Sequence, residues 1–426
     1  MPKEGLFIES VDDFPHSSVP DDKRRGAINQ SLIWMGYSIW PGGLLAGGII
    51  ALGLPVYEAI GATLVGCLIL FLLHLLQGTM GRRTGLGIAT LYGETWGKWG
   101  RLIPAGLIGI ALWGWFGVVT GLVGEWFFDL VGVGTIWIYV IFFGALFAAN
   151  TIFGWKGLAW IAVIGTPTIL AIAIWAVPIA IGQGGGWAAI VAATPVTTMT
   201  WGAAIGITIA NWAVGTAAAP DFYRWTKNAR GVSSGAVAGM IIGNGGTMII
   251  GIILAAGTGS FDLLSVFAKL GLFAVAIWFL IAGIWTSAQN NLYAASLEFS
   301  NLFGIRRLWT AIAAAVAGTT FAGLGLYGAF TNWLLALGVV FPAIIGVAIA
   351  DYWVKHKGSY ADVDFSRVPH AFAFNAVIAW AVGVAMEWWL GTLHLGVQCL
   401  NGLVIAFVLY VGLTYVLPNF KIASRS

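Results

Sequence analysis

The chain runs to 426 residues with a net charge of +3, yet only 9% of its residues are charged and 59% are apolar. A soluble domain carries about one quarter charged residues, so a soluble globular protein is excluded, and the thin scatter of basic residues offers no stripe for nucleic acid. The composition is that of a membrane protein, because runs of about 20 apolar residues, enough to cross a hydrocarbon core, recur along the whole chain.

Residues 1–28 are polar and include Pro15 and Pro20. They lack the short apolar core and small-residue cleavage site of a secretory leader and read as a cytoplasmic tail. Twelve spans are predicted, near 29–54, 57–79, 102–129, 134–154, 157–182, 199–220, 231–257, 270–298, 305–325, 329–351, 370–389 and 393–417. Between spans 2 and 3, residues 80–101 are amphipathic and punctuated by glycine. They are expected along the membrane interface, with Tyr92, Trp96 and Trp99 at headgroup level. Residues 183–200 are expected to be irregular and external, and 418–426 to form a second cytoplasmic tail. The tails and even-numbered loops hold 19 of the 20 Lys and Arg residues, and the odd-numbered loops hold only Lys269. Short basic loops stay cytoplasmic, so both termini are expected inside.

Two spans are interrupted. Span 1 carries Gly36, Pro41-Gly42-Gly43 and Gly47-Gly48; span 6 carries Gly215-Thr216, three alanines and Pro220. Proline within a span removes a backbone hydrogen bond, and freed backbone at membrane depth is tolerated only against protein or a water-filled cavity. Interruptions at corresponding positions of two halves point to a transporter site. Five spans per half make spans 1 and 6 run in opposite directions. Spans 1–5 (29–182) and 6–10 (199–351) are therefore read from topology as inverted repeats, with spans 11 and 12 (370–417) appended.

Three spans carry polar or aromatic groups at mid-depth: Trp113 to Gly117 in span 3, Asn211-Trp212 in span 6, and Trp285 to Tyr293 in span 8, the most polar run of all. Helical spacing puts Thr286, Asn290 and Tyr293 on one face of span 8, with Ser287 and Gln289 on its flanks. The hydroxyls of Thr286 and Ser287, with carbonyls from a broken helix opposite, suit the all-oxygen shell of a hard cation such as sodium. Gln289 and Asn290 each pair a donor with an acceptor, which fits the edge of an amide or a nucleobase; the same groups also serve bonds between helices. Trp115 and Trp212 facing one cavity would clamp a planar ring, although each alone also fits plain packing. Trp175, Trp187, Trp388 and Trp389 read as interfacial anchors.

The acidic residues lie at or toward span ends, Glu125 at the outer side and Glu298 at the inner, which tilts coupling from protons toward sodium. His74 in span 2 reads as a packed, hydrogen-bonded residue. Cys67 and Cys399 have no metal or disulfide spacing. The five histidines, at 16, 74, 356, 370 and 394, are scattered, which argues against a membrane enzyme. Pore-lining rings and filter loops, which a channel needs, are not found, nor is a phosphate-cradling motif. No organic cofactor is expected.

At these residues the chain resembles the nucleobase–cation symporter-1 family, in particular bacterial cytosine permeases. The resemblance is carried by Gly114-Trp-Phe-Gly117, the run from Asp221 to Arg230, Ile284-Trp-Thr-Ser287 with Asn290 to Tyr293, and Ala350-Asp-Tyr352, in register from span 1 to span 10. It implies an all-α leucine-transporter-type fold: twelve transmembrane helices, a 5+5 inverted repeat with helices 1 and 6 discontinuous, and two further C-terminal helices. It implies sodium between helices 1 and 8, held by carbonyls of Gly36, Trp40 and Gly283 and hydroxyls of Thr286 and Ser287. Trp115 would stack on the base and Trp212 would fill the second aromatic position. Hydantoin-type members are similar there, whereas cytosine permeases carry phenylalanine. Asn211 and Asn290 would read the base edge, with Gln289 a further candidate from its own donor and acceptor.

The chain departs from the cytosine permeases at Leu112, where they carry glutamine, at Ala288-Gln289, where they carry Asn-Asp, and at Asn211, where they carry serine. Each change alters hydrogen bonding to a substrate edge. The expected activity is import of a planar N-heterocycle with sodium by alternating access, with cytosine, a purine, uracil, a hydantoin and a vitamin precursor all open. Proton coupling and an amino-acid substrate on the same fold stand as alternatives, though mid-depth offers an amino group no anionic partner. The protein is expected to work as a monomer in a bacterial inner membrane, its partners being the bilayer and the small substrate.

Overall fold

Pro41 sets the first feature of the architecture. In the computed structural model, which describes residues 14, 17–152, 167, 171–172, 174–271, 273–365, 370–416 and 421–423, helix α1 (Ala27–Ser38) stops three residues before it and α2 (Pro41–Gly53) starts on it. Trp40 between them is extended, and the two helices meet at 57°. Helix α3 (Val56–Thr84) follows Pro55 and ends at Gly85, whose φ of 69° gives the left-handed turn that stops the helix. Then come α4 (Ile88–Trp96), α5 (Leu102–Val131), α6 (Ile136–Ile152) and α7 (Ile174–Gln183).

The second half opens with the short α8 (Trp187–Ala192), then α9 (Trp201–Ala217), whose Thr200 side chain caps Ala203 N–H, and α10 (Ala219–Tyr223). Span 6 turns only at Ala218, which keeps a helical backbone and its bond to Val214. Its interruption is far slighter than that of span 1. Helix α11 (Ala229–Ala236) runs through a π-helical stretch, Val237–Gly245, into α12 (Gly246–Thr258). After α13 (Leu263–Lys269) come α14 (Phe273–Phe303), α15 (Arg307–Gly323) and α16 (Phe330–Ile349), which ends in a second π stretch, Ala350–Lys355. Helices α17 (Phe374–Thr392) and α18 (Leu400–Val416) form a final pair.

The predicted spans overlie these helices, apart from the fifth (157–182), most of which lies outside the described residues. Five of the described helical stretches are long and apolar enough by themselves to cross a membrane, and six with the bent pair α1–α2. Helix α5 packs on α14 and α15, α2 on α12, α3 on α9, and the α17–α18 pair on α16. Small residues allow the closest of these approaches: a Cβ on Gly47 would lie 2.0 Å from the Met248 carbonyl oxygen, and one on Gly251 2.2 Å from that of Leu44.

Three expectations change. In residues 80–101, α3 extends to Thr84 and α4 packs against the protein with Tyr92 and Trp96 buried in it rather than facing headgroups, leaving Trp99 exposed. Polar bonds fix it there: the Asp221 carboxylate accepts the N–H of Ile88 at the start of α4 (2.9 Å), and Thr95 donates to Asp351 (3.0 Å). The segment 183–200 contains α8 and then hydrogen-bonds along α2's end, Thr197 N–H to Leu52 and Met199 N–H to Gly53. Span 11 begins at Phe374, because His370–Ala373 instead pairs antiparallel with Lys421–Ala423.

One end of the bundle is basic. Arg24 donates to the Arg82 carbonyl, Arg25 pairs with Thr226, Arg224 donates to the Phe14 carbonyl, and Arg83 donates to Gly358. Lys269 lies at the other end, bonded to Thr258 beside Gln183.

Candidate functional site

The break in span 1 places the first wall of a cavity. Pro41 has no N–H, so the carbonyl of Tyr37 has no partner one turn on. Met35 still receives the regular helix bond from Ile39 N–H (3.0 Å) and Ser38 Oγ bonds back to Trp34 (2.7 Å), while the carbonyls that follow Met35 are left to other donors. Extended Trp40 lays its indole over Gly42, where a Cβ would fall 1.8 Å from the ring.

Trp115, at the middle of α5, meets Trp40 edge to face, with centroids 5.0 Å apart and planes at 87°. Phe330 and Trp333 on α16 stand 6.1 and 6.5 Å from it. Trp212 enters from α9, its ring 5.0 Å from Tyr37 and 6.1 Å from Trp34. Gly215 makes room for that indole, since a Cβ there would come within 2.5 Å of it.

The polar groups follow from two helices. Ser287 and Asn291 of α14 are four residues apart and share a face; Asn291 donates to Ser287 Oγ (3.4 Å) and accepts from Tyr37 OH (3.1 Å). Asn211 donates to Asn244 Oδ1 (2.9 Å), and Asn244 donates to Cys67 Sγ (3.5 Å). Asn244 lies in the first π stretch, a distortion that recurs at functional sites. The cavity is lined by Tyr37, Trp40, Leu112, Trp115, Asn211, Trp212, Val214, Gly215, Ser287 and Asn291, with no charged side chain in its wall. Only about 20 Å³ of it is open to the centre of a water molecule, roughly what one water needs. Two of the lining residues keep a buried polar atom without a protein partner, the acceptor Asn211 Oδ1 and the donor Trp212 Nε1. They are two of 25 such atoms among the described residues, and the two that line this cavity.

A second cavity, of about 120 Å³, lies toward the basic end and is lined by Phe222, Tyr293, Asp221 and Arg224 among others. A single aromatic layer divides the two: Tyr37 and Phe222 are 5.3 Å apart, and Trp34 touches both Phe222 (5.1 Å) and Tyr37 (6.1 Å).

Of the residues singled out in the sequence, Trp115, Trp212, Asn211, Trp40 and Ser287 meet at the central cavity. Thr286 is buried one position round α14, and Gly283 lies one turn before Ser287 on the same helix. Gly36 is half-buried in the last turns of α1. Gln289 and Asn290 do not line the cavity. Gln289 is buried, and its carbonyl accepts from Thr151 of α6 (3.5 Å); Asn290 is half-buried. Sequence reasoning missed Tyr37, Asn244 and Asn291. Asn291 stood within the polar run, and Tyr37 next to Gly36 at the break. Asn244, flanked by glycines, carried no such signal. His74 bonds Thr216 Oγ1 (3.1 Å). Among the described residues no three His, Cys, Asp or Glu side chains group as metal ligands.

Residues 18–413 match the family model described as permease for cytosine/purines, uracil, thiamine, allantoin. The cytosine permease of Escherichia coli strain K12 is 29% identical over 380 residues, 88% of this chain and 89% of that protein. The hydantoin permease of Microbacterium maritypicum is 26% identical over 161 residues, 37% of this chain and 33% of its own. Among solved structures, the nucleobase–cation-symport-1 transporter Mhp1, closed with bromovinylhydantoin bound, superposes with a TM-score of 0.82 at 19% identity, covering 95% of both chains. Its inward-facing form gives 0.84 at 18%, covering 96% and 94%. A Na+-coupled sialic acid symporter gives 0.69 at 14%, covering 95% and 92%.

Proposed function

Because the chain belongs to the nucleobase–cation symporter-1 family, and is therefore an integral membrane transporter and not an enzyme, we propose that it imports a planar, uncharged N-heterocycle together with sodium by alternating access. One observation carries the substrate class. Between the indoles of Trp115 and Trp212, the wall presents an unpartnered acceptor, Asn211 Oδ1, and an unpartnered donor, Trp212 Nε1. Stacking faces with a donor and an acceptor suit a flat heterocycle that carries both on its edge. The absence of a charged group in this wall favours a neutral ligand over an amino acid. Leu112 lines the wall where cytosine permeases carry glutamine, so the preferred base is one that does not need a carboxamide there.

Sodium is supported by the neutral oxygens around the break. Helix α1 points its C-terminal, electronegative end at the site, and α14 brings Ser287 to the cavity that Tyr37 lines, with Thr286 buried next to it in the chain. The set proposed is Gly36, Trp40 and Gly283 carbonyls with Thr286 and Ser287; the Trp40 carbonyl also accepts from Gly43 N–H (3.1 Å) and has a second lone pair to give. Sodium bound there ties α1 to α14, and substrate bound against both does the same, so each strengthens the other's binding. Proposed with this are the twelve-span, 5+5 inverted-repeat arrangement, both tails and the basic end in the cytoplasm of a bacterial inner membrane, and function as a monomer. The central cavity has room for about one water, so a base enters only when the aromatic rings part.

The test is a thermal-shift screen of purified protein against nucleobases, hydantoins and amino acids, with sodium or choline. A ligand of the folded state raises the melting temperature by mass action, by about 2.7 kcal/mol of added stability at a hundredfold excess over its Kd. A heterocycle is expected to stabilise only with sodium, and Trp115→Ala is expected to abolish the shift. Equal shifts in choline would remove sodium from the scheme, and shifts with amino acids alone would remove the heterocycle.

A further inference from the structure

The basic end carries a cleft that the transport scheme leaves unused. It lies between the end of α3, the π stretch that closes α16 and the loop that follows, and about 730 Å³ of it is open to the centre of a water molecule. Hydrogen bonds hold this shape. Arg83 donates to the Gly358 carbonyl (2.6 Å), Gly358 N–H to the Tyr352 carbonyl (2.8 Å), and the Tyr360 hydroxyl to Asp351. The tail is tied to the same place, with Ser18 Oγ donating to the Thr84 carbonyl (2.9 Å) and Val19 N–H to that of Gly85 (3.0 Å).

The wall offers donors and positive charge. Arg83 lines it from an exposed position, its guanidinium 5.8 Å over the Trp353 ring. Gly358 engages one N–H of that fork, and a guanidinium carries several more. Ser17, Ser18 and Ser359 add hydroxyls. Tyr352 is wholly buried, and its hydroxyl is the one side-chain atom of this wall that is buried without a partner. A buried donor lacking an acceptor is costly, and an oxygen of a bound anion removes that cost. Arg24 stands behind Ser18, donating to its Oγ (3.4 Å) and to the Arg82 carbonyl (3.1 Å), and Lys357 precedes Gly358. No carboxylate lines the cleft among the described residues. Asp21 pairs with Arg24 (3.3 Å), Asp351 pairs with Lys355 (2.8 Å), and Asp362 and Asp364 are exposed on the loop. Leu86 and Val363 give the cleft an apolar flank.

We propose that this cleft binds a phosphate ester: Arg83 pairs with the phosphate, and the hydroxyls of Tyr352, Ser17 and Ser359 donate to its oxygens. Arginine matches phosphate oxygens with its planar fork. The space exceeds what a bare phosphate fills, and the apolar flank suits an organic group beyond it. That group is the glycerol of an anionic lipid headgroup or of a soluble phosphate. Bound there, the ester joins α3 to the end of α16 through Arg83 and Tyr352, and so ties two helices from different halves of the chain. The site is independent of what the central cavity carries. Only the leaflet from which a lipid would come rests on the orientation proposed above.

Thermal shifts of the purified full chain in neutral detergent, at constant ionic strength, test it and are blind to whether the transport reading is right. Glycerol 3-phosphate and phosphatidylglycerol are titrated separately, with sodium chloride and phosphatidylcholine as controls. A rise in melting temperature is expected with a phosphate ester and not with the controls. A shift with glycerol 3-phosphate assigns the site to a soluble ester; a shift with phosphatidylglycerol alone assigns it to a lipid headgroup. Arg83→Gln should abolish the shift. Tyr352→Phe keeps the ring against Trp353 and Tyr360 and removes only the hydroxyl. It should bind about tenfold more weakly, the loss of one hydrogen bond to a charged group. No shift with either ester, phosphatidylcholine as effective as phosphatidylglycerol, or equal affinity in Tyr352→Phe and the unaltered protein would each overturn the assignment. If Arg83→Gln fails to fold, Tyr352→Phe alone decides.

Discussion

Leu112 lies three residues before Trp115 on α5 and lines the same cavity, so its side chain sets what that wall offers a ligand. An isobutyl group offers no hydrogen bond, whereas a carboxamide offers a donor and an acceptor. Leu112→Gln is expected to weaken binding of the native substrate at least about tenfold, the cost of burying polar atoms it leaves unpaired, and to favour bases with a further edge group. Repeating the ligand panel on the variant checks this; an unchanged ranking would mean that Leu112 does not face the substrate. Asn244 acts one step further out, as the acceptor that orients Asn211. Asn244→Leu removes that anchor at a cost of about 1 kcal/mol, and a drop in ligand affinity larger than the drop in stability would mark a positioning role. Trp115, Trp212 and Asn211 were legible in the sequence because an indole or amide at mid-depth has few reasons to be there. Ser287 and Asn291 could not be told from Thr286 and Asn290, because the polar run covers several faces of α14 and one residue turns a helix by about 100°. Asn244 depends on a π stretch within a glycine-rich sequence, where no side-chain pattern marks the change of pitch.

At the scale of elements, α4 is held by charge. Asp351, buried at the π end of α16, accepts from Thr95 of α4, Tyr410 of α18 and Tyr360, and pairs with Lys355 (2.8 Å). Asp351→Asn leaves Lys355 with a weaker partner and is expected to cost about 3 kcal/mol or more, read as a lower melting temperature, whereas a surface-like change below about 0.5 kcal/mol would show the network to be ornamental. Glu94 of α4 takes part through Lys355 (3.1 Å) and His356 (3.4 Å). Burial pushes the Glu94 carboxyl up, but the close approach of His356 and the Lys355 charge and hydrogen bond outweigh it and hold it below its usual range. A depressed carboxyl contributes stability that is present above its unfolded value, about 4.3, and is lost as pH falls through the lower folded value. Melting temperature should therefore fall below about pH 4.3 more gently in Glu94→Gln than in the unaltered protein; parallel curves would exclude Glu94 as a source of acid sensitivity. Hydropathy separated 80–101 from the spans but did not show that Tyr92 and Trp96 are buried, because partners that fix α4, Asp221 and Asp351, lie more than a hundred residues away.

For the whole molecule, sidedness is the property most visible in the sequence and most exposed to test. Residues far apart in sequence, Arg24 with Arg82, Arg25 with Thr226 and Arg83 with Gly358, meet at one end of the bundle, as the count of basic loops requires, while Lys269 lies at the other. The fold brings the loops together; the cytoplasmic side is proposed for that end because moving clustered Lys and Arg across a bilayer is costly. Cys67 and Cys399 are both free and buried, so the unaltered protein gives little background with a membrane-impermeant maleimide. Lys269 and Asp362 are exposed on opposite ends. In intact cells Lys269→Cys should label and Asp362→Cys should not, and both should label after the membrane is opened. The reverse pattern would invert the protein and turn the cavity lined by Asp221 and Arg224 to the outside. Labelling of both in intact cells would place an odd number of crossings between residues 269 and 362 in error, and with it the inverted repeat that rests on that count. The twelve-span arrangement stands or falls here, since the repeat is a statement about directions of crossing and the labels read those directions.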